Sequence, residues 1–190
     1  NNPIAYIDPS GHRKTYVIYY DNPKGFTNEA WDCMYYNANS KNTIMKSVRK
    51  VKHFIAAWNN MYDKVDNVFI FVHGGTGILY FEDGNLSNNT TPSFSALKCK
   101  KVKRMLYLFS CHGGDGTVNN SVAYMFAKLG QCKVRATPYG VSFSKSGGFF
   151  GPYEARVPKE DFFKFSSGWG TYYYVDEKPK QRFSYRKWAI

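Results

Sequence analysis

VFIFVHGG, residues 68–75, and MLYLFSCHGG, residues 105–114, decide how this chain is read. Each is a hydrophobic run that closes on a reactive side chain followed by glycines. The first ends on His73-Gly74-Gly75 and the second on Cys111-His112-Gly113-Gly114. Short apolar runs rich in Val, Ile, Phe and Tyr and bounded by glycine are buried strands. Strands apolar on both faces belong in a parallel sheet covered by helices, so the predicted class is α/β with a mainly parallel central sheet. In such sheets the ligand crevice lies at the carboxyl ends of the strands. A His and a Cys are therefore expected side by side at one sheet edge, the arrangement a thiol nucleophile and its base require.

Outward from these runs, TYVIYY at residues 15–20 is β-branched and aromatic and predicts a first strand. Residues 21–25 read as a turn, 28–36 as a short helix and 37–42 as a loop. Thr43 is the expected N-cap of a helix over 44–62, whose apolar positions Ile44, Val48, Val51, Ile55, Trp58 and Met61 follow helical spacing. With strands on either side, this predicts a βαβ unit. Residues 78–81 followed by Glu82-Asp83-Gly84-Asn85 predict a hairpin. Residues 88–95 read as loop, and 94–101 as a short helix. A further helix is expected over 117–129 with Gly130 as its cap, then a strand at 133–136. Five glycines and prolines mark a long loop over 139–152, and 171–175 reads as a last strand. No repeat and no second domain is visible.

The chain has 190 residues, is 43% hydrophobic and 18% aromatic, and carries a formal net charge of +12. This is the composition of one globular domain, not of a disordered segment. No apolar run approaches a membrane span, and no charged-then-apolar leader is present, so neither an anchor nor a signal peptide is expected. Cys33, Cys99, Cys111 and Cys132 show no CxxC pair and no metal-ligand spacing, and read as free thiols; no metal and no cofactor is expected. The basic charge is spread along the chain, with small clusters at 98–104 and 178–187. It reads as a solvated surface, since no groove-reading motif accompanies it, and no specific nucleic acid is expected. The aromatic tail, Tyr172, Tyr173, Tyr174 and Trp188, reads as sheet packing before a base-stacking platform.

The first residues are Pro- and Gly-punctuated: Asn2-Pro3, then Asp8-Pro9-Ser10-Gly11. This NP-x4-DP-x-G pattern resembles the end of the Rhs/YD-repeat core, where it marks the junction with a variable C-terminal cargo. The resemblance implies a junction at 1–12 and a toxin domain at 13–190, of the Rhs or Tc type. It further implies a shell that holds the cargo before release, secretion and delivery into a target-cell cytoplasm, a protein substrate there, and an immunity protein.

A nearby imidazole favours the thiolate. Glycines beside both residues let a substrate backbone approach, and backbone N–H groups near Gly74 and Cys111 would face an oxyanion. A helix starting near Thr117 would add its dipole at Cys111. Here VFIFVHGG and LYLFSCHGG, with the sequel SVAYMFAKLGQCKVRAT, resemble the caspase-like cysteine peptidases, including the CHAT, gingipain and clostripain groups. The resemblance covers roughly residues 15–143. It implies a three-layer α/β/α caspase-like fold, His73 as general acid/base, Cys111 as nucleophile and Gly74 at the oxyanion. It also implies residues beside the strand ends that read the side chain before the cleaved bond. Asp115 and the 142–148 loop, with Ser142 and Ser144, are the candidates, and an acidic Asp115 would favour a basic side chain. The departure is His112, a second imidazole directly after the nucleophile. Neighbours in a strand point to opposite faces, so His73 is the preferred base.

Taken singly, a Cys at a strand end is more often a packed thiol, and His-Gly-Gly more often a turn. Cys33, Cys99, Cys132, His53 and His12 are read in that structural way. Two other classes stay open. An ADP-ribosyltransferase using NAD would draw on Ser142, Ser144 and Glu154, with His73 to Thr76 as a His-containing pocket. A nucleic-acid-directed toxin would rest on the charge, but the chain lacks the acidic metal cluster of nucleases.

Overall fold

The computed structural model describes residues 14–22, 25–36, 42–145, 153–156 and 169–184. The junction at 1–12, His12, Trp188 and the glycines of 147–151 lie outside the described residues.

In chain order the elements are β1 (Thr15–Tyr20), α1 (Thr27–Tyr36), β2 (Thr43–Val48), α2 (Val51–Asn59), β3 (Lys64–Phe71), β4 (Gly74–Gly75), β5 (Ile78–Phe81) and β6 (Gly84–Ser87). After a single 3-10 turn at Phe94–Ala96 come β7 (Lys101–Phe109), α3 (Val122–Gly130), β8 (Lys133–Ala136), β9 (Ser142–Lys145), β10 (Tyr153–Arg156), β11 (Trp169–Val175) and β12 (Lys178–Ser184). The central sheet has seven strands in the order β12-β11-β8-β7-β3-β1-β2. Strands β8, β7, β3, β1 and β2 run parallel, and the β11–β12 hairpin adds two antiparallel strands at one edge.

Alternation along the strands builds the two faces. Tyr16, Ile18, Val68, Ile70, Leu106 and Leu108 pack under α2 and α3 through Phe54, Trp58, Phe126 and Ala123. Val17, Tyr19, Phe69, Phe71 and Phe109 face the other way, onto Ala30 and Cys33 of α1 and onto Ala155 and Trp169. The result is the expected α/β fold of three layers, α/β/α, around a mainly parallel sheet. The chain leaves β1 for β2 on one side and returns to β3 on the other, so the strand order reverses at β1. Ligand crevices open at that kind of switch point.

Four expectations are corrected. Residues 43–48 form the edge strand β2 and not the first half of a helix. Ile44, Val48 and Val51 fit a helical period, but β1 has an unpaired side that residues 43–48 satisfy along six pairs of parallel register. The helix shrinks to Val51–Asn59, and its cap comes from far away: Asp83 Oδ1 accepts the Val51 N–H at 2.8 Å. Thr43 therefore opens a strand and is not the N-cap of this helix, and the single βαβ unit becomes two. Residues 117–121 form a turn, because Asn120 Oδ1 accepts both the Thr117 N–H (2.6 Å) and its hydroxyl (3.1 Å). Asn side chains compete with helix in this way. The helix begins at Val122, Gly130 is its last residue, and the left-handed cap is Gln131. The short helix over 94–101 is only the 3-10 turn. The long loop over 139–152 carries β9, which pairs antiparallel with β10. Phe143 anchors it, its ring 6.0 Å from Phe71 and 6.1 Å from Phe109.

The charged segment at 178–184 is the hairpin strand β12; a two-residue turn at Asp176-Glu177, both at positive φ, folds it back on β11. Tyr172 is fully buried under α3, as sheet packing requires.

Candidate active site

The two glycine-flanked ends come together. β3 and β7 are neighbours, with Phe71 directly opposite Phe109. Neighbouring strands lie about 4.8 Å apart. His73 and Cys111 each stand two residues beyond that last pair, so they leave the sheet from the same edge at the same level. The ladder continues one step further, where the Val72 N–H donates to the Phe109 carbonyl at 3.3 Å.

The glycine after His73 is required by closeness. A Cβ on Gly74 would run into Ser110 Oγ, and would lie 2.9 Å from the Ile78 carbonyl and 3.3 Å from the Cys111 carbonyl. The Gly74 amide is turned away from the hairpin. Residues Gly75 and Ile78 flank the two-residue turn Thr76-Gly77, and the Tyr80 N–H donates to the His73 carbonyl at 2.9 Å. Gly74 and Leu79 are then the intervening non-hydrogen-bonded pair, whose N–H and C=O groups point away from the hairpin.

His73 is half-buried between aromatic rings. Phe26 lies 4.7 Å from its ring centroid and Tyr20 lies edge-on at 5.5 Å. Both follow or end β1, so the switch point supplies the wall behind the imidazole. Phe26 in turn touches Phe143 of β9 at 5.5 Å. This wall is not visible in the sequence, because Phe26 falls between the segments read as turn (21–25) and helix (28–36), and Phe143 lies in the segment read as loop.

Cys111 is half-buried and its sulfur is held by Val141: the Val141 N–H donates to Sγ at 3.3 Å, and the Val141 carbonyl lies 3.8 Å away. The turn after it is tightly spent. The His112 N–H donates to Tyr139 O, that of Gly113 to Ser110 O and that of Gly114 to Thr137 O. The Cys111 N–H has no hydrogen-bond partner among the described residues. The helix after Cys111 starts at Val122, and the Ala123 N–H in its first turn donates to the Gly113 carbonyl at 2.8 Å.

His112 is not in a strand, so the alternation argument does not apply to it. It sits at φ 55° in a turn, and its Nδ1 lies 3.0 Å from the Pro138 carbonyl, which makes Nδ1 the protonated nitrogen. Asp115 is 3.9 Å from that nitrogen. Asp115 also accepts the Thr76 hydroxyl at 2.7 Å, and so ties the loop after β3 to the loop after β7. Ser142 follows the Val141 that holds the sulfur, and is exposed. Ser144 pairs in register with Glu154, and Ser142 with Arg156. Of the other cysteines, Cys33 is buried with its thiol pushed up by desolvation, Cys132 is pushed up to about 12 by the same cause, and Cys99 is exposed.

Among the described residues no cluster of His, Cys, Asp and Glu is arranged to hold a metal ion, and no helix is long and apolar enough to cross a membrane. No family model matches the chain, and no curated protein matches it.

Proposed function

We propose that the chain is a cysteine endopeptidase that acts as toxin cargo on proteins of a target cell. The observation that carries this reading is the pairing of Phe71 with Phe109, which puts His73 and Cys111 at matching positions beyond adjacent parallel strands. Resemblance to the caspase-like peptidases supports the same two roles. Cys111 gives its thiol proton to His73, its Sγ attacks the scissile carbonyl carbon, and the carbonyl oxygen takes the electron pair. The outward N–H of Gly74 and the N–H of Cys111 stabilise that oxyanion. His73 protonates the leaving amine as the C–N bond breaks, leaving a thioester. Water then attacks the thioester, with His73 accepting its proton, and the acid product leaves the restored thiol. Asp115 and Ser142, next to the strand ends, are the residues that read the side chain before the cleaved bond. Residue 144, one strand step beyond, is the third.

The test is cleavage of a peptide library derived from a whole proteome, read by mass spectrometry. Wild type gives cuts with a shared residue before the cleaved bond. Cys111→Ala lowers the rate by about 10⁴-fold or more, and His73→Ala by about 10²–10⁴-fold. Unchanged cleavage by Cys111→Ala contradicts the proposal.

One observation favours a second reading. The β9–β10 register pairs position 144 with position 154, two residues along the strand from Ser142. An ADP-ribosyltransferase would bind NAD there and transfer ADP-ribose to a target protein, releasing nicotinamide. Cys111→Ala would leave that activity intact, and Glu154→Gln would remove it.

A further inference from the structure

The far end of the central sheet carries charge that the candidate active site does not use. In β12, Lys178, Lys180 and Arg182 alternate along the strand and are exposed. Residues two apart in a strand share a face and lie about 6.6–6.8 Å apart. Register extends the row inward. Lys180 is opposite Tyr173, and Lys178 is opposite Val175. Val134 pairs with Tyr172, which is buried on the α3 side, so the neighbouring Lys133 and Tyr173 share the other face. Their contact agrees: Lys133 Nζ lies 5.6 Å from the Tyr173 ring centroid. Met105 pairs with Lys133, and two residues before it Lys103 adds a fifth cation, its side chain 55% exposed and its Nζ 4.0 Å from Asp66 Oδ1.

Part of this row, Lys103, Lys133 and Tyr173, lines an open cleft of about 1160 Å³ that also reaches the α3 side of the sheet, where Ala127, Lys128 and Tyr174 form its wall. Glu177 is the one carboxylate among its described lining residues. Among the described residues no carboxylate lies within ion-pair distance of Lys133, Lys178, Lys180 or Arg182. The cleft is remote from the thiol: Lys103 and Cys111 stand toward opposite ends of β7, roughly 26 Å apart at about 3.3 Å per residue.

Lysines and a proline on an edge strand also guard against strand addition. Pro179 serves that end, because its non-hydrogen-bonded pairing with Tyr174 leaves the missing N–H on the outer edge. Edge protection does not account for Lys103, Lys133 and Tyr173, which lie on interior strands.

We propose that this face and cleft bind a single-stranded nucleic acid. Its phosphates lie along Lys103, Lys133, Lys178, Lys180 and Arg182, and a base stacks on the half-exposed ring of Tyr173. A ring set among cations is the combination that sequence-tolerant single-strand binding uses. An acidic protein would use the cations but not the ring.

The experiment is fluorescence anisotropy of a labelled oligouridylate of about twelve nucleotides, within the site sizes such surfaces cover, titrated with the full chain at several salt concentrations. Five phosphate contacts predict a slope of log affinity against log salt of about −3.5. Lys133→Gln and Lys180→Gln each weaken binding and make the slope shallower by about 0.7. Tyr173→Ala weakens binding about tenfold without changing the slope, and Tyr173→Phe binds as wild type does. Cys111→Ala also binds as wild type does. Lys46→Gln with Lys52→Gln, which removes two charges far from the cleft, leaves binding unchanged. Equal loss on that control pair, or full binding by Tyr173→Ala with polyglutamate competing as well as RNA, overturns the proposal. The first outcome marks unspecific charge and the second an acidic protein partner.

Discussion

Gly74 shows how narrowly the candidate site is built at the level of single residues. Its missing Cβ is what lets the loop after β3 lie against Ser110 and the Cys111 carbonyl. Gly74→Ala is expected to destabilise the fold by about 1–3 kcal/mol through overpacking, measured by urea unfolding. Adding Ser110→Ala recovers only part of that loss, because the Ile78 carbonyl remains 2.9 Å from the new methyl group. The four cysteines separate on burial. Cys33 is buried, with a thiol that desolvation pushes up, and Cys132 is pushed up to about 12. Alkylation at pH 8, read by peptide mass spectrometry, is expected to modify Cys99 and Cys111 in the native protein. Cys33 and Cys132 react only after unfolding, since the thiolate is the reactive form. Early labelling of Cys33 would contradict the packing of α1 on the sheet.

At the scale of elements, the capping of α2 is a long-range event. Asp83, in the turn after β5, accepts the first helical N–H, so the β5–β6 hairpin and α2 stand or fall together. Asp83→Ala is expected to cost about 1 kcal/mol and to lower Tm by about 2–4 °C, while Asp83→Asn retains most of the cap. This cap also marks the limit of what could be read in advance. β1, β3, β7, β8 and α1 were legible because their patterns are local and strong, and β3 and β7 carried the two candidate residues with them. β2 was not legible, since Ile44, Val48 and Val51 satisfy a helical period that the pairing with β1 overrides. The start of α3 was missed because Asn120 folds back on Thr117. The site behaved likewise. His73 and Cys111 were visible as strand-end residues, whereas Phe26, Phe143 and Val141 reach the site only through tertiary packing.

For the whole molecule, burial of acidic hydrogens predicts an alkaline limit. Below about pH 7.5, a unit under the ordinary thiol pKa of about 8.5, the Cys33 and Cys132 thiols are neutral whether the chain is folded or not, and they add no pH dependence. Above that, the unfolded chain releases protons that the folded chain holds, so stability falls as pH rises toward about 12 for Cys132. Each thiol contributes a slope of up to about 1.4 kcal/mol per pH unit. Cys33→Ala is expected to flatten the fall seen in urea unfolding between pH 9 and 11, and an unchanged slope would contradict it. The central claim concerns the pair that adjacent strands bring together. It is tested most directly by expressing wild type, Cys111→Ala and His73→Ala inside target cells and mapping new protein N-termini across the proteome. The account predicts discrete new termini and toxicity for wild type, and neither for the two variants. Full toxicity of Cys111→Ala, with no new termini in any of the three, would contradict it.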